Sequence, residues 1–279
     1  MTGFQIQRQN PEAFGLAALL AFAGGYLDVY TYLSRGGVLA NAQTGNIVLL
    51  GLHLTRGNWG AVIRYCIPIA AFVAGILLAS VIRSRLRHTA IQWRQWVLLA
   101  EIAVLFGVGF IPGGEWDVPA NSLISLVCAL QVVSFQKVEG ISYASTMCTG
   151  NLRSGTTALY QFWQSRSRQD LLNFVRYYGI IFFFLLGAGA GTLLTGLWGT
   201  HGVWFCLLPL LGSFWMLLRT PSRFWNSSRC PHCPAVSQHP DGCEGRKELC
   251  RWNRQPDACH TQQLQNQCQR DYQYKTPQR

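Results

Sequence analysis

Asp28 stands in Gly24-Gly25-Tyr26-Leu27-Asp28, inside the otherwise uncharged run from Phe14 to Leu33. A carboxylate at the centre of a bilayer costs about 3 kcal/mol on insertion scales, so it needs a partner, water or a task. The chemistry it offers is a proton or cation relay, or a contact to a polar solute. The structural alternative is an ion pair with Arg64 or Arg176 that only fixes helix packing. The triplet Thr44-Gly45-Asn46 returns as Thr149-Gly150-Asn151. Each copy supplies a hydroxyl, an amide and a glycine at which the chain can bend, a set suited to coordinating a polar solute or an ion. Asn41 and Gln43 extend the polarity in one copy, Ser145 and Thr146 in the other. The same small residues also suit close helix packing with cross-helix hydrogen bonds. When the two copies are laid together with a small gap, Gln131 falls opposite Asp28, a neutral amide against a carboxylate. Glu101 is a second carboxylate in an apolar stretch, nearer a basic loop, where Arg94 is available to pair with it.

These residues are carried by what reads as two copies of one membrane unit. Arg64-Tyr65 lies 11 residues before Gly75, and Arg176-Tyr177 lies 11 residues before Gly187, with almost purely apolar residues between. The composition agrees: of 279 residues 49% are apolar and only 13% charged, too little charge for a soluble domain of this size. About 20 apolar residues cover a hydrocarbon core of roughly 30 Å. Phe14 to Leu33, Ala61 to Ile82, Trp96 to Pro112, Ala120 to Phe135, Tyr177 to Leu197 and His201 to Leu218 are the candidate spans. No short apolar core with a small-residue cleavage pattern precedes the first, which is expected to remain as an anchor.

Loop charge sets the topology. Arg83, Arg85, Arg87 and Arg94 mark one loop as cytoplasmic, whereas Glu115 and Asp117 mark the next as external. Arg166, Arg168 and Arg176, and later Arg219, Arg223 and Arg229, read as cytoplasmic again. An odd number of crossings must therefore separate Pro119 from Arg166. The stretch Ile141 to Tyr160, like Val38 to Leu54, then enters the bilayer without passing through. The expected fold is all-α, with about six crossings in two inverted repeats (1–112 and 113–220), each with a re-entrant or broken helix at its Thr-Gly-Asn triplet; the alternative of eight crossings would put either the four-arginine loop or the basic stretch after Tyr160 on the wrong side. Arg56 and Arg64 fall on the outer side, a smaller violation of the charge rule. Irregular backbone at membrane depth is tolerated where protein or a water-filled cavity covers it, and transporter sites sit at such repeat interfaces.

Residues 221–279 differ in character: polar, basic, and carrying Cys230, Cys233, Cys243, Cys250, Cys259 and Cys268 with His232, His239 and His260. Cys230-Pro231-His232-Cys233 has the two-residue gap of a zinc knuckle, although the later spacings fit no single zinc class. A tail with so few large apolar residues is expected to be disordered. The net charge of +11 suits anionic lipid headgroups, and no aromatic stacking pattern selects nucleic acid. No His-Glu-x-x-His helix, Gly-x-Ser-x-Gly elbow or phosphate-cradling glycine loop is present, so an enzyme is not expected.

Gly24-Gly25-Tyr26-Leu27-Asp28, Ala42-Gln43-Thr44-Gly45-Asn46 and Thr149-Gly150-Asn151 together resemble the bacterial YoaK family, a membrane domain of unknown function. The resemblance covers about residues 10 to 220 and leaves out the tail. It implies a multi-pass bacterial inner-membrane protein of about six helices, sometimes labelled a small-molecule transporter without an assigned substrate. The function expected here is secondary transport of a small polar or anionic solute. Its pathway would be formed by Asp28, Thr44, Gly45, Asn46, Gln131, Thr149, Gly150 and Asn151, with both termini cytoplasmic. The alternative is a membrane scaffold or sensor that signals through a metal-binding tail. Apart from zinc in that tail no cofactor is expected; the partners are the solute and the lipid bilayer, and association with further copies stays open.

Overall fold

The computed structural model describes residues 11–85, 93–135, 137–138, 141–142 and 148–219. The helices among them are α1 (Pro11–Ser34), α2 (Gln43–Thr55), α3 (Trp59–Arg85), α4 (Trp93–Val108), α5 (Asp117–Ser134), α6 (Cys148–Ser165), α7 (Arg168–Trp198) and α8 (Leu207–Arg219). A 3-10 segment, Gly199–Cys206, joins α7 to α8. The last expected span, His201 to Leu218, is therefore part 3-10 and part α-helix. The fold is helical, as expected, and the described residues add one short ladder in which β1 (Lys137–Val138) pairs antiparallel with β2 (Ile141–Ser142), Val138 opposite Ile141. These two β-branched residues favour extended backbone. The Cys/His-rich tail, with Cys230 and Cys233, lies outside the described residues, as do Ser145 and Thr146.

Phe14–Ser34, Trp59–Arg85, Asp117–Ser134 and the combined stretch Arg168–Arg219 are long and apolar enough to cross a membrane. The exterior agrees, since Leu193 and Leu197 are 70% and 78% exposed and many other large apolar side chains also face outward. So much outward apolar surface is covered by lipid in a multi-pass membrane protein.

The core is built mainly on α1 and α5. Leu16, Leu20, Tyr26, Leu27 and Tyr30 bury most of α1, and Ile124, Val127, Cys128 and Leu130 do the same for α5. Helix α1 packs on α7 and α3 packs on α5, while α4 lies against α5 and α8, and α8 returns to α1. Small residues let these backbones meet. Gly179 faces Phe14, Gly187 faces Phe22 and Gly191 faces Tyr26, so residue numbers rise together and α1 and α7 run parallel. Gly75 of α3 meets the Leu126 carbonyl of α5 in the same manner.

Arg35, the first residue after α1, is fully buried. Its guanidinium donates to the carbonyls of Val108 (3.1 Å), Ile111 (2.9 Å) and Pro112 (3.0 Å) at the end of α4, and to the Tyr30 hydroxyl (3.1 Å). Asp117 Oδ1 lies 3.5 Å away, and Asn121 donates to the Arg35 carbonyl at 2.7 Å. One cation thus supplies donors to carbonyls at and just beyond a helix C-terminus, of which that of Val108 also accepts the Ile111 N–H, and the backbone dipole there favours positive charge. It ties the end of α1 to the end of α4 and the start of α5.

Candidate functional site

Gly25 lies against the Phe184 carbonyl of α7, and one turn later Asp28 enters the interior with only 5% of its surface exposed. After Ser34 the chain turns at Gly36 and Gly37, both with positive φ (77° and 81°), a conformation glycine adopts without strain. The following residues descend along α1. Asn41 N–H donates to Asp28 Oδ1 at 2.6 Å and its side-chain amide donates to the Gly24 carbonyl at 3.3 Å. The Ala42 N–H also contributes to holding the carboxylate. Helix α2 begins immediately afterwards at Gln43, so Asp28 answers backbone donors at the start of a helix that supplies no cap of its own.

Asn46, in the first turn of α2, is fully buried and folds back on Leu39. It accepts the Leu39 N–H at 2.9 Å, donates to the Leu39 carbonyl at 2.6 Å, and donates to Gln43 Oε1 at 3.1 Å. Gln43 in turn donates to the Ala40 carbonyl at 2.9 Å. Gly45 leaves room for Leu39, whose Cδ1 would stand 2.7 Å from an added Cβ. The first triplet is thus a staple that returns the chain into the bundle and starts a helix there. The expected break precedes the triplet and does not divide a helix. Asn46→Ala is expected to lower stability by about 1 to 3 kcal/mol by orphaning both polar groups of Leu39. Asn46→Asp restores the acceptor alone and recovers part of that loss; thermal unfolding of the two purified variants checks the order.

The second triplet also opens a helix, α6, at Cys148. Asn151 is buried, whereas Thr149 and Gly150 are exposed, and Thr44 in the first copy is exposed too. The asparagines therefore point inward while the threonines face outward, so the eight pathway residues are not all gathered on one point. The charge of Asp28 is felt at Cys148, the first residue of α6, whereas α6 itself packs on α7. Gln131 is fully buried on α5, and neither atom of its amide has a hydrogen-bond partner among the described residues. Arg64 does not pair with Asp28; it is directed to the Gly36 carbonyl at 3.5 Å on an exposed surface. Arg176 lies on α7, 11 residues before Gly187. Arg94 donates to the Ser134 carbonyl at 2.8 Å and leaves both oxygens of Glu101 without a hydrogen bond.

Sequence reasoning undervalued Asn41, the residue that holds Asp28, and did not single out Arg35. A signal for Arg35 was present: a lone arginine directly after an apolar span, on the side that the charge rule assigns to the exterior. What the site offers chemically is a buried carboxylate and buried amides, with the backbone donors at the start of α2 held against the carboxylate.

No solved structure matches the chain. The chain is 30% identical over 145 residues to UPF0700 transmembrane protein YoaK of Bacillus subtilis (strain 168), a match that covers 50% of this chain and 64% of that protein. The chain thus spans less than two thirds of the length of that curated relative. A family model described as "Protein of unknown function (DUF1275)" matches residues 16–216. That region runs from within α1 to within α8 and includes both Thr-Gly-Asn helix starts, so the fold that carries Asp28 and its partners is the region the family shares. The chain belongs to the DUF1275 family of membrane proteins.

Proposed function

We propose that the protein is a secondary transporter of a small polar or anionic solute, built from two inverted repeats with the solute site between them. The observation that carries this reading is the return of the chain after α1 to the depth of Asp28, where α2 begins. A helix that starts inside the bilayer presents its positive end and free N–H groups to whatever occupies the interior, and transporters use such half-helices to hold anionic or polar groups. The charge of the same carboxylate is felt at the first residue of α6.

The repeat is supported by reciprocal packing. Helices α1, α2, α3 and α4 correspond to α5, α6, α7 and α8; α1 on α7 is then answered by α5 on α3, α2 on α3 by α6 on α7, and α4 on α5 by α8 on α1. Gly187 against Phe22 and Gly75 against Leu126 occupy matching places. In this reading α1, α3, α4, α5, α7 and the 3-10 segment with α8 cross the membrane, whereas α2 and α6 enter and leave on the same side. Arg83 and Arg85 then share the cytoplasmic side with Arg166 and Arg168.

Two experiments test the proposal. Cysteines introduced at Ser84 and Arg168 are expected to be labelled from the same compartment, and a cysteine at Glu115 from the other; labelling of the first two from opposite compartments ends the inverted-repeat reading. A panel of small polar and anionic metabolites is then screened for compounds that raise the melting temperature of the detergent-solubilised protein, and uptake of any such compound is measured in proteoliposomes. Asp28→Asn keeps an acceptor for Asn41 while removing the charge, so folding is expected to survive and flux to be lost. Protein that folds but is protected by no compound and moves none would reject transport.

A further inference from the structure

Helix α5 carries a polar stripe through the bundle: Asn121, Ser125, Cys128, Gln131 and Ser134, each at most 1% exposed. Their spacing of three or four residues places them along one face. Helices α4 and α5 run antiparallel, since Arg94 at the start of α4 reaches Ser134 at the end of α5, and Arg35 joins Val108 at the end of α4 to Asp117 at the start of α5. Glu101 lies midway along α4, fully buried, and near enough to Cys128 to act on it electrostatically.

Both oxygens of Glu101, the Ser125 hydroxyl and both amide atoms of Gln131 lack hydrogen-bond partners among the described residues. Buried polar groups are almost always paired, with protein or with water, because leaving them dry costs about 1 to 3 kcal/mol each. Several orphans along one seam therefore call for internal water, which takes two to four polar partners. A carboxyl group with no cation beside it is tolerated in such a place when it carries its proton, and becomes charged only with hydration. The ionisable groups that face it are Cys128 from α5 and Cys206 at the end of the 3-10 segment. Asp28 acts on Cys128 from the side of α1, and α8 brings only Arg219, at its far end.

We propose that the α4–α5 seam is a hydrated proton-binding track in which Glu101 takes up and returns a proton through waters held by Gln131 and Ser125. In uptake, an O–H bond of a hydronium ion breaks, leaving water, and an O–H bond forms on a Glu101 carboxylate oxygen; release is the reverse. Gln131 lies between Glu101 and the Arg94–Ser134 end of the seam, so it is the residue through which protons arriving from that end must pass. The inference concerns proton binding alone and does not depend on any solute.

Infrared difference spectroscopy of the full chain in lipid nanodiscs tests it, with the proton and deuteron as probes. The wild type is expected to show the carbonyl stretch of a protonated carboxylic acid, shifting promptly in D2O and disappearing as pH is raised. In the Asp28→Asn background, where the other buried carboxyl of the bundle cannot contribute, Glu101→Gln removes that band and Gln131→Leu slows the deuterium shift several-fold. If Glu101→Gln does not fold, Glu101→Asp, which keeps the acid but moves it, is expected to shift the band's frequency. A band that survives Glu101→Gln in that background, one unmoved there by Glu101→Asp, one that never shifts in D2O, or no such band in the wild type overturns the proposal.

Discussion

Arg35→Met is expected to lower stability by about 3 to 5 kcal/mol, the range found when one partner of a buried charge network is removed. Methionine fills much of the volume but donates nothing. The carbonyls of Val108, Ile111 and Pro112 lose the donor found within 3.1 Å of each, and the Asp117 carboxylate loses the cation 3.5 Å away. Arg35→Lys recovers only part of this, because one ammonium is a compact point charge and cannot span three carbonyls and a hydroxyl as the planar guanidinium does. Tyr30→Phe, which removes both the acceptor for Arg35 Nε and the hydroxyl donor to the Thr200 carbonyl at 2.8 Å, is expected to cost about 1 to 2 kcal/mol. Thermal unfolding in one detergent, with size-exclusion profiles before heating, ranks the three. An Arg35→Met protein as stable as the wild type would mean that these contacts do not hold α1, α4 and α5 together.

Arg35 also shows where reading the chain stops. Helix existence was legible because about 20 apolar residues in a row have few other fates. Hence α1, α3, α5 and α7 lie where the apolar runs place them, and the polar triplets mark the starts of α2 and α6. The 3-10 opening of the last span was hidden, since Gly199–Cys206 is as apolar as the α-helix after it and only backbone geometry separates them. Asp28 was legible as costly, but its partner was not. Asn41 is 13 residues away, on a segment whose descent depends on positive φ at Gly36 and Gly37, whereas charge alone suggested Arg64 or Arg176. Arg35 was less visible still, because the carbonyls it binds are 73 to 77 residues away and backbone acceptors have no sequence signature. The triplets gave the right positions for a partial reason: Asn46 is needed to staple Leu39, while Thr44 faces outward.

The other large effect is expected at the glycines between parallel helices. A Cβ at Gly187 would run into the Phe22 carbonyl, and one at Gly75 would stand 2.5 Å from the Leu126 carbonyl oxygen. Both obstacles are backbone, which cannot rotate aside as a side chain can, so the helices must separate and surrender packing along their length. Gly187→Val and Gly75→Val are each expected to cost about 3 kcal/mol, the upper part of the range for overpacking. Gly189 is on the same helix as Gly187, with nothing within 4 Å of its added Cβ. Gly189→Ala should therefore be neutral or stabilise by up to about 1 kcal/mol, since alanine favours helix more than glycine does. The contrast separates close packing from any general intolerance of α7 to substitution. The two valine variants also probe the proposed duplication, because matching seams should suffer alike. Similar losses in melting temperature at Gly75 and Gly187, with Gly189→Ala unaffected, agree with two equivalent helix pairs. A severe loss at one and none at the other would mean that the two pairs carry unequal roles despite their matching geometry.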